Sequence, residues 1–136
     1  MKSYPIQPRV LFVNKDKQTR KNFIEDLKEK CLVTAVPNLT LAIASLSASE
    51  PFDCFICPLY LEEFTAFECK MFLEKHGLLS YTTFAIFNQF KTPELEALTF
   101  LNNMCLLTQL SSAEEKWEEL MNCFKQQNNN WLTNTP

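Results

Sequence analysis

The strongest candidate for a reactive motif in this 136-residue chain is a pair of cysteines. Cys54 and Cys57 are separated by two residues and followed by Pro58, a spacing typical of thiol redox sites. Such sites open a helix, whereas these cysteines lie within an apolar run typical of a buried strand. Residues three apart on a strand point to opposite faces, so the pattern favours two separate thiols over a redox pair.

The other candidate groups favour structural roles over catalytic ones. His76 is the only histidine, which excludes a metal site that needs several histidines, and its position before Gly77 favours a helix end over a catalytic triad. Glu62 and Glu63 precede a helical pattern, where carboxylates are solvated and favoured by the helix dipole. A solvated face of the last helix is predicted for Glu114, Glu115, Glu118 and Glu119, with Lys116 and Lys125. We therefore predict no catalytic residue, metal or cofactor.

Composition predicts one globular domain. The chain is 46% hydrophobic and 21% charged, and it contains twelve Phe residues that supply core volume. The net charge is −3 and the lysines and arginines form no contiguous basic stretch, which argues against a nucleic-acid partner. The chain has neither an apolar run of roughly 18 residues nor a signal-peptide pattern at its start, so we predict a cytoplasmic protein without a membrane partner.

An even number of cysteines would suggest disulfides in a short secreted chain. Without an export signal, and with most of these cysteines inside apolar segments, buried free thiols are predicted instead. The six are Cys31, Cys54, Cys57, Cys69, Cys105 and Cys123.

Short apolar runs alternate with helical patterns along the chain. This alternation is typical of a parallel sheet with helical crossovers. The predicted strands are Arg9 to Val13, Leu32 to Val36, Cys54 to Cys57, Phe84 to Phe87 and Cys105 to Leu107. Each is followed by a helical pattern, which gives five strands and five helices. Residues 1–8 are predicted to be an arm, 9–126 the domain and 127–136 a polar tail.

Three segments carry a resemblance to a known family. RVLFVNKD, FDCFICPLYLEEFTAFE and LNNMCLLTQL resemble the first strand, the third strand with its following loop, and the fifth-strand region of bacterial response-regulator receiver domains. The resemblance extends from about Arg9 to Gln126. It implies an α/β fold of the flavodoxin-like receiver type, a single doubly wound five-stranded parallel sheet with strand order 2-1-3-4-5.

The resemblance also implies where a phosphorylation pocket would lie. The family's phosphorylated aspartate falls at Pro58, and its two Mg²⁺-binding acids fall at Asn14 and Lys15. Its hydroxyl residue after strand four, its lysine after strand five and its aromatic switch residue fall at Asn88, Gln109 and Leu106. Proline has no side-chain oxygen that could accept a phosphoryl group, so the pocket is predicted to be degenerate.

The predicted function is that of a phosphorylation-independent pseudo-receiver, a regulatory module that binds a signalling protein or a second copy of itself. The resemblance implies a contact face on helix four, strand five and helix five, with candidate residues Leu95, Leu98, Trp117, Glu118 and Met121. Two alternatives stay open: a thiol redox protein using Cys54 and Cys57, and a small-ligand or anion sensor near Lys15. Tyr60, Leu61 and Phe90 are expected either to form an apolar cluster at the sheet edge or to fill the vacated pocket.

Overall fold

The structure is a computed structural model that describes residues 7–48 and 50–126. Within those residues the chain forms five strands and five helices in strict alternation. The strands are β1 (Arg9–Val13), β2 (Leu32–Val36), β3 (Cys54–Pro58), β4 (Thr83–Asn88) and β5 (Cys105–Thr108). The helices are α1 (Lys17–Leu27), α2 (Leu39–Ala48), α3 (Ala66–Lys75), α4 (Pro93–Leu101) and α5 (Ala113–Gln126).

All five strands are parallel and lie in the order β2-β1-β3-β4-β5, which confirms the predicted fold class. The bounds of β1 and β2 are those predicted from the sequence. At their carboxyl ends the other three strands extend one residue beyond the prediction, so that Pro58, Asn88 and Thr108 are each the last residue of a strand. β4 also begins one residue earlier than predicted, at Thr83. Pro58 pairs in register with Phe87, and Asn88 pairs with Thr108.

Helices cover both faces of the sheet, and alternate strand residues point to one face or the other. The face under α1 and α5, here called the α1–α5 core, includes Phe12, Phe23, Cys54, Ile56, Phe87, Leu120 and Phe124. The opposite face, the α2–α4 core, includes Leu11, Phe55, Cys57, Cys69, Ile86, Leu95 and Leu106. In the first core Phe12 stacks on Phe23 with ring centroids 3.9 Å apart, and both rings meet Phe87 edge-on.

Local sequence signals set the helix ends. Thr92 caps α4 by accepting a hydrogen bond from the Leu95 amide, and Pro93 occupies the first helical position. Gly77 follows α3 with φ of +69°, the left-handed conformation expected of a glycine after a helix. The helix that follows Glu62 and Glu63 begins at Ala66, because Thr65 and Glu68 form a capping box there.

The domain begins at least one residue earlier than predicted. Pro8 is buried, and its carbonyl accepts a hydrogen bond from the Leu32 amide at 2.9 Å, so it belongs to the sheet region and not to an arm. The rest of the predicted arm that precedes Gln7, and the predicted polar tail 127–136, lie outside the described residues.

The prediction that all six cysteines are free thiols is wrong for two of them. Cys105 in β5 and Cys123 in α5 form a disulfide with their Cα atoms 5.5 Å apart. Both cysteines face the α1–α5 core, and packing α5 on the sheet brings them together across 18 residues of sequence. The remaining four, Cys31, Cys54, Cys57 and Cys69, are buried free thiols as predicted.

Lys116 is buried, so the prediction of a fully solvated charged face on α5 is wrong at this position. Its side chain is 3% exposed, and its ammonium donates to the carbonyls of Gln109 (3.0 Å) and Ser111 (2.6 Å). The same ammonium lies 3.2 Å from a carboxylate oxygen of Asp26 on α1. One residue therefore ties α5 to α1 and to the loop that follows β5.

Replacing Lys116 by Met keeps the aliphatic stem but leaves two carbonyls without their donor. We expect Lys116→Met to lower the free energy of unfolding by about 1–3 kcal/mol, measured by urea denaturation. The exposed Lys21→Met on α1 is the matched control and is expected to change stability by less than about 0.5 kcal/mol. Equal stability of the two variants would contradict the structural role of the buried ammonium.

Candidate functional site

The carboxyl ends of β1, β3, β4 and β5 bring the predicted pocket positions to one edge of the sheet. Asn14, after β1, accepts a hydrogen bond from the Asp16 amide on its side-chain oxygen at 3.0 Å. The guanidinium of Arg20 donates to the carbonyls of Asn14 (2.8 Å) and Lys15 (3.1 Å). The polar groups of this loop therefore hold the loop itself in place.

Asp16 supplies a carboxylate two residues after Asn14, but α1 uses it as a cap. One of its oxygens accepts bonds from the Thr19 hydroxyl (2.7 Å) and the Thr19 amide (2.8 Å). These bonds hold the pKa of the Asp16 carboxyl below its usual value. The carboxylate is thus ionised at neutral pH and engaged in starting the helix.

Asn88 and Gln109 are neighbours through their main chains. The Gln109 amide donates to the Asn88 carbonyl at 2.8 Å, and the Asn88 side chain donates to the Phe90 carbonyl at 3.0 Å. Gln109 also accepts from Lys116, so the loop after β5 is held from both β4 and α5. The structure thus brings Asn88 and Gln109 together, and it joins them to a lysine that the sequence pattern had assigned to solvent.

A cleft of about 630 Å³ lies beside the ends of β1, β2 and β3. It is lined by residues of three loops that include Asn14, Lys15, Asp16, Asn38, Pro58, Tyr60, Leu61, Glu62, Glu63 and Phe64. Three carboxylates face one ammonium in this lining, a balance that disfavours an anion. The charge of the cleft therefore argues against the anion sensor that Lys15 suggested.

The expected apolar cluster at this edge is divided between two places. Tyr60 and Leu61 line the cleft, but Tyr60 is 72% exposed and does not fill a vacated pocket. Phe90 lies outside the cleft lining and contributes to a groove beside α5. The edge therefore carries two separate exposed aromatic side chains.

Cys54 and Cys57 cannot pair with one another, because they belong to different cores. Cys54 faces the α1–α5 core and Cys57 the α2–α4 core, and neither is exposed. Burial raises the pKa of both thiols well above the usual value, and it raises the pKa of Cys31 to about 12. The geometry therefore does not support the redox alternative.

Alkylation tests this placement of the thiols. At pH 8 the folded, unreduced protein is expected to resist iodoacetamide, because its four free thiols are buried and three of them have raised pKa values. Unfolding without a reductant should expose those four cysteines, and adding a reductant should expose the two of the disulfide. Intact mass spectrometry counts the added groups. Rapid alkylation of Cys54 or Cys57 in the folded protein would contradict the account.

The structure changes the predicted contact face. Leu95 is 6% exposed and belongs to the α2–α4 core, so it is unavailable to a partner in this structure. Trp117 and Met121 pack, partly buried, against the α1–α5 core. Leu98 and Glu118 are exposed. Periodicity located the apolar stripe of each helix but did not distinguish the side that packs on the sheet from the side left in solvent.

Leu106, at the predicted switch position, lies in the α2–α4 core with 8% of its surface exposed. Beyond it, Glu119 of α5 accepts bonds from the Thr108 amide (3.0 Å) and the Thr108 hydroxyl (2.8 Å). The ammonium of Lys91, in the loop after β4, lies 3.5 Å from the same carboxylate. Sequence patterning missed this link, since Glu119 belongs to a series of acids that look alike in the sequence.

No family model matches the chain, and no curated protein matches it. Solved structures of receiver domains do resemble it in fold. The chemotaxis response regulator CheY4 of Vibrio cholerae is 17% identical, with a TM-score of 0.73 over 86% of this chain and 98% of that one. The receiver domain of a LuxO repressor protein from Vibrio parahaemolyticus is 15% identical, with a TM-score of 0.74 over 96% and 99%.

A third similar structure is the BeF3-activated receiver domain of DrrB, a Thermotoga maritima protein, which is 16% identical with a TM-score of 0.65 over 88% of this chain and 98% of that one. Identities this low establish the fold alone. The chain has the receiver fold, a five-stranded parallel sheet between two helical layers.

The residues at the edge do not fit the Mg²⁺ ion that the receiver fold implies. Such an ion prefers carboxylate oxygens, whereas Asn14 offers an amide oxygen already bonded to the Asp16 amide, and Lys15 carries a positive charge. Across residues 7–48 and 50–126, no three His, Cys, Asp or Glu side chains are grouped so that they could hold a metal.

Within the same residues, no helix is long and apolar enough to cross a membrane.

Proposed function

We propose that this chain is a pseudo-receiver, a signalling module that works without phosphorylation and acts by binding another protein. The observation that carries the proposal is Pro58 at the end of β3, the position at which the sequence resemblance to receiver domains places their phosphorylated aspartate. In this proposal the module is not an enzyme and works in the cytoplasm alongside its partner.

The chemistry of the sheet edge supports this reading. An aspartyl phosphate requires a carboxylate to attack the phosphoryl donor and a cation to offset the developing charge. Pro58 provides no nucleophile, and the Asn14 and Lys15 positions provide no pair of carboxylates. Asp16 is engaged by Thr19, while Glu62 and Glu63 are exposed loop residues.

The bonds around the loop after β5 support a fixed conformation. That loop is held by the Asn88 carbonyl, by the Lys116 ammonium and, through Thr108, by Glu119. A ligand can shift an equilibrium only if it binds two conformations differently. Because the chain itself makes all of these contacts, we propose that the module presents one contact face constitutively.

Treatment with acetyl phosphate and Mg²⁺ tests the proposal. We expect the intact mass to stay unchanged, because the edge lacks a nucleophile at Pro58. The matched comparison restores the receiver chemistry at four positions: Asn14→Asp, Lys15→Asp, Pro58→Asp and Gln109→Lys. This restored variant is expected to gain a phosphoryl group that is lost on treatment with hydroxylamine.

Two results would count against the proposal. A phosphoryl group found on any Asp or Glu of the unaltered chain would overturn phosphorylation independence. A folded restored variant that stays unmodified would overturn the assignment of these four positions to a vacated pocket.

A further inference from the structure

Two adjoining grooves lie beside α5, and they share no lining residue with the cleft. The first, of about 340 Å³, lies against α4 and β5 and is lined in part by Lys91, Glu96, Phe100, Leu106, Glu119 and Asn122. The second, of about 570 Å³, is lined in part by Phe90, Lys91, Leu110, Glu115, Glu118 and Glu119. Lys91, Glu119 and Asn122 line both, so the two form one continuous surface, here called the α4–α5 groove.

Large apolar side chains are exposed in this groove. Phe100 is 73% exposed, Leu110 66% and Phe90 56%. Burying such side chains against a partner removes apolar area from water at about 25 cal/mol per Å². Aromatic side chains at the centre of a surface are also the usual anchors of protein contacts.

The charge of the chain is concentrated in the same region. Six of the sixteen acidic residues and three of the thirteen basic ones lie between Lys91 and Lys125. The ten acids and ten bases elsewhere cancel, so the whole net charge of −3 comes from this segment. The groove itself is lined by Glu96, Glu115, Glu118 and Glu119, against Lys91.

The positive charge of Lys91 is already paired, since its ammonium lies 3.5 Å from a carboxylate oxygen of Glu119. Hydrogen bonds from Ser112 hold the pKa of Glu115 below its usual value, so this carboxylate stays ionised at neutral pH. Glu96 and Glu118 are exposed, one on α4 and one on α5. Carboxylates therefore flank the exposed aromatic side chains on both helices.

We propose that the α4–α5 groove docks a basic amphipathic segment of another protein, with its apolar side chains on Phe90, Phe100 and Leu110 and its lysines or arginines on the flanking carboxylates. This inference rests on the proposed function and names the partner class for it. Two copies of the groove facing each other would bring like charges together, which disfavours a symmetric self-contact there. Phosphate backbones are repelled for the same reason.

Peptide binding tests the docking chemistry. The probe is a fluorescently labelled helical peptide with Leu and Phe on one face and Lys on the other, and the control peptide carries Glu in place of each Lys. We expect saturable binding of the Lys peptide that weakens with salt, and at least about tenfold weaker binding of the Glu peptide. Amide chemical-shift changes in the labelled protein should map to the residues that line the groove.

Two variants of equal net charge test the location. Glu96→Lys with Glu118→Lys should weaken binding of the Lys peptide at least about tenfold, whereas Glu62→Lys with Glu63→Lys, at the cleft, should change it less than about twofold. Phe100→Ser should weaken binding by about tenfold with no change in folding, because this ring is exposed. Thermal melting of each variant checks that it is folded.

Several results would overturn the docking proposal. They are equal binding of the Glu peptide, equal losses in the two double variants, and chemical-shift changes outside the groove. These failures are separate from failure of the proposed function. A phosphoryl group on the unaltered chain would overturn phosphorylation independence and leave the peptide results standing, whereas a failed peptide test with no phosphoryl group would overturn only the docking.

Discussion

The constraint on which the rest of this structure depends is the burial of a parallel sheet on both faces. The middle residues of β1, β3, β4 and β5 point into one of two apolar cores, and Cys54 and Cys57 illustrate this by entering opposite ones. Strand interiors are therefore closed to chemistry, and function is confined to the strand ends and to the outer sides of the helices. At the strand ends, Asn14 and Pro58 offer an amide and a ring without a donor or acceptor.

The two outer regions differ in how their charges are used. At the sheet edge, Arg20 and Lys116 donate to loop carbonyls, so these cations hold the loops and are not presented to a ligand. Beside α5, Glu96 and Glu118 are exposed in the lining of the α4–α5 groove, and no described hydrogen bond or ion pair involves their carboxylates. Exposed carboxylates also lie at the cleft, on Glu62 and Glu63 beside Tyr60. The α4–α5 groove differs because it combines its carboxylates with three largely exposed apolar side chains, Phe90, Phe100 and Leu110.

Much of the fold could be predicted because its signals are local. Alternating apolar runs located all five strands, and Thr92 with Pro93 marked the start of α4. The errors involve tertiary contacts. The disulfide and the burial of Lys116 arise only when α5 packs on the sheet, although Lys116 does fall four residues before the buried Leu120, on the same helical side. Leu95 was placed on the wrong side for the same reason, since periodicity does not say which neighbour a stripe meets.

The central proposal is that the sheet edge does not take up a phosphoryl group, and a beryllofluoride titration followed by amide NMR tests it most directly. The receiver domain of DrrB, whose BeF3-activated structure shares this fold, is the reference. With Mg²⁺ and beryllofluoride present, the account predicts unchanged amide chemical shifts for Lys15 and Gln109, which are two of the proposed pocket positions, and for Leu59, which follows Pro58. Saturable shifts of these three amides would contradict it.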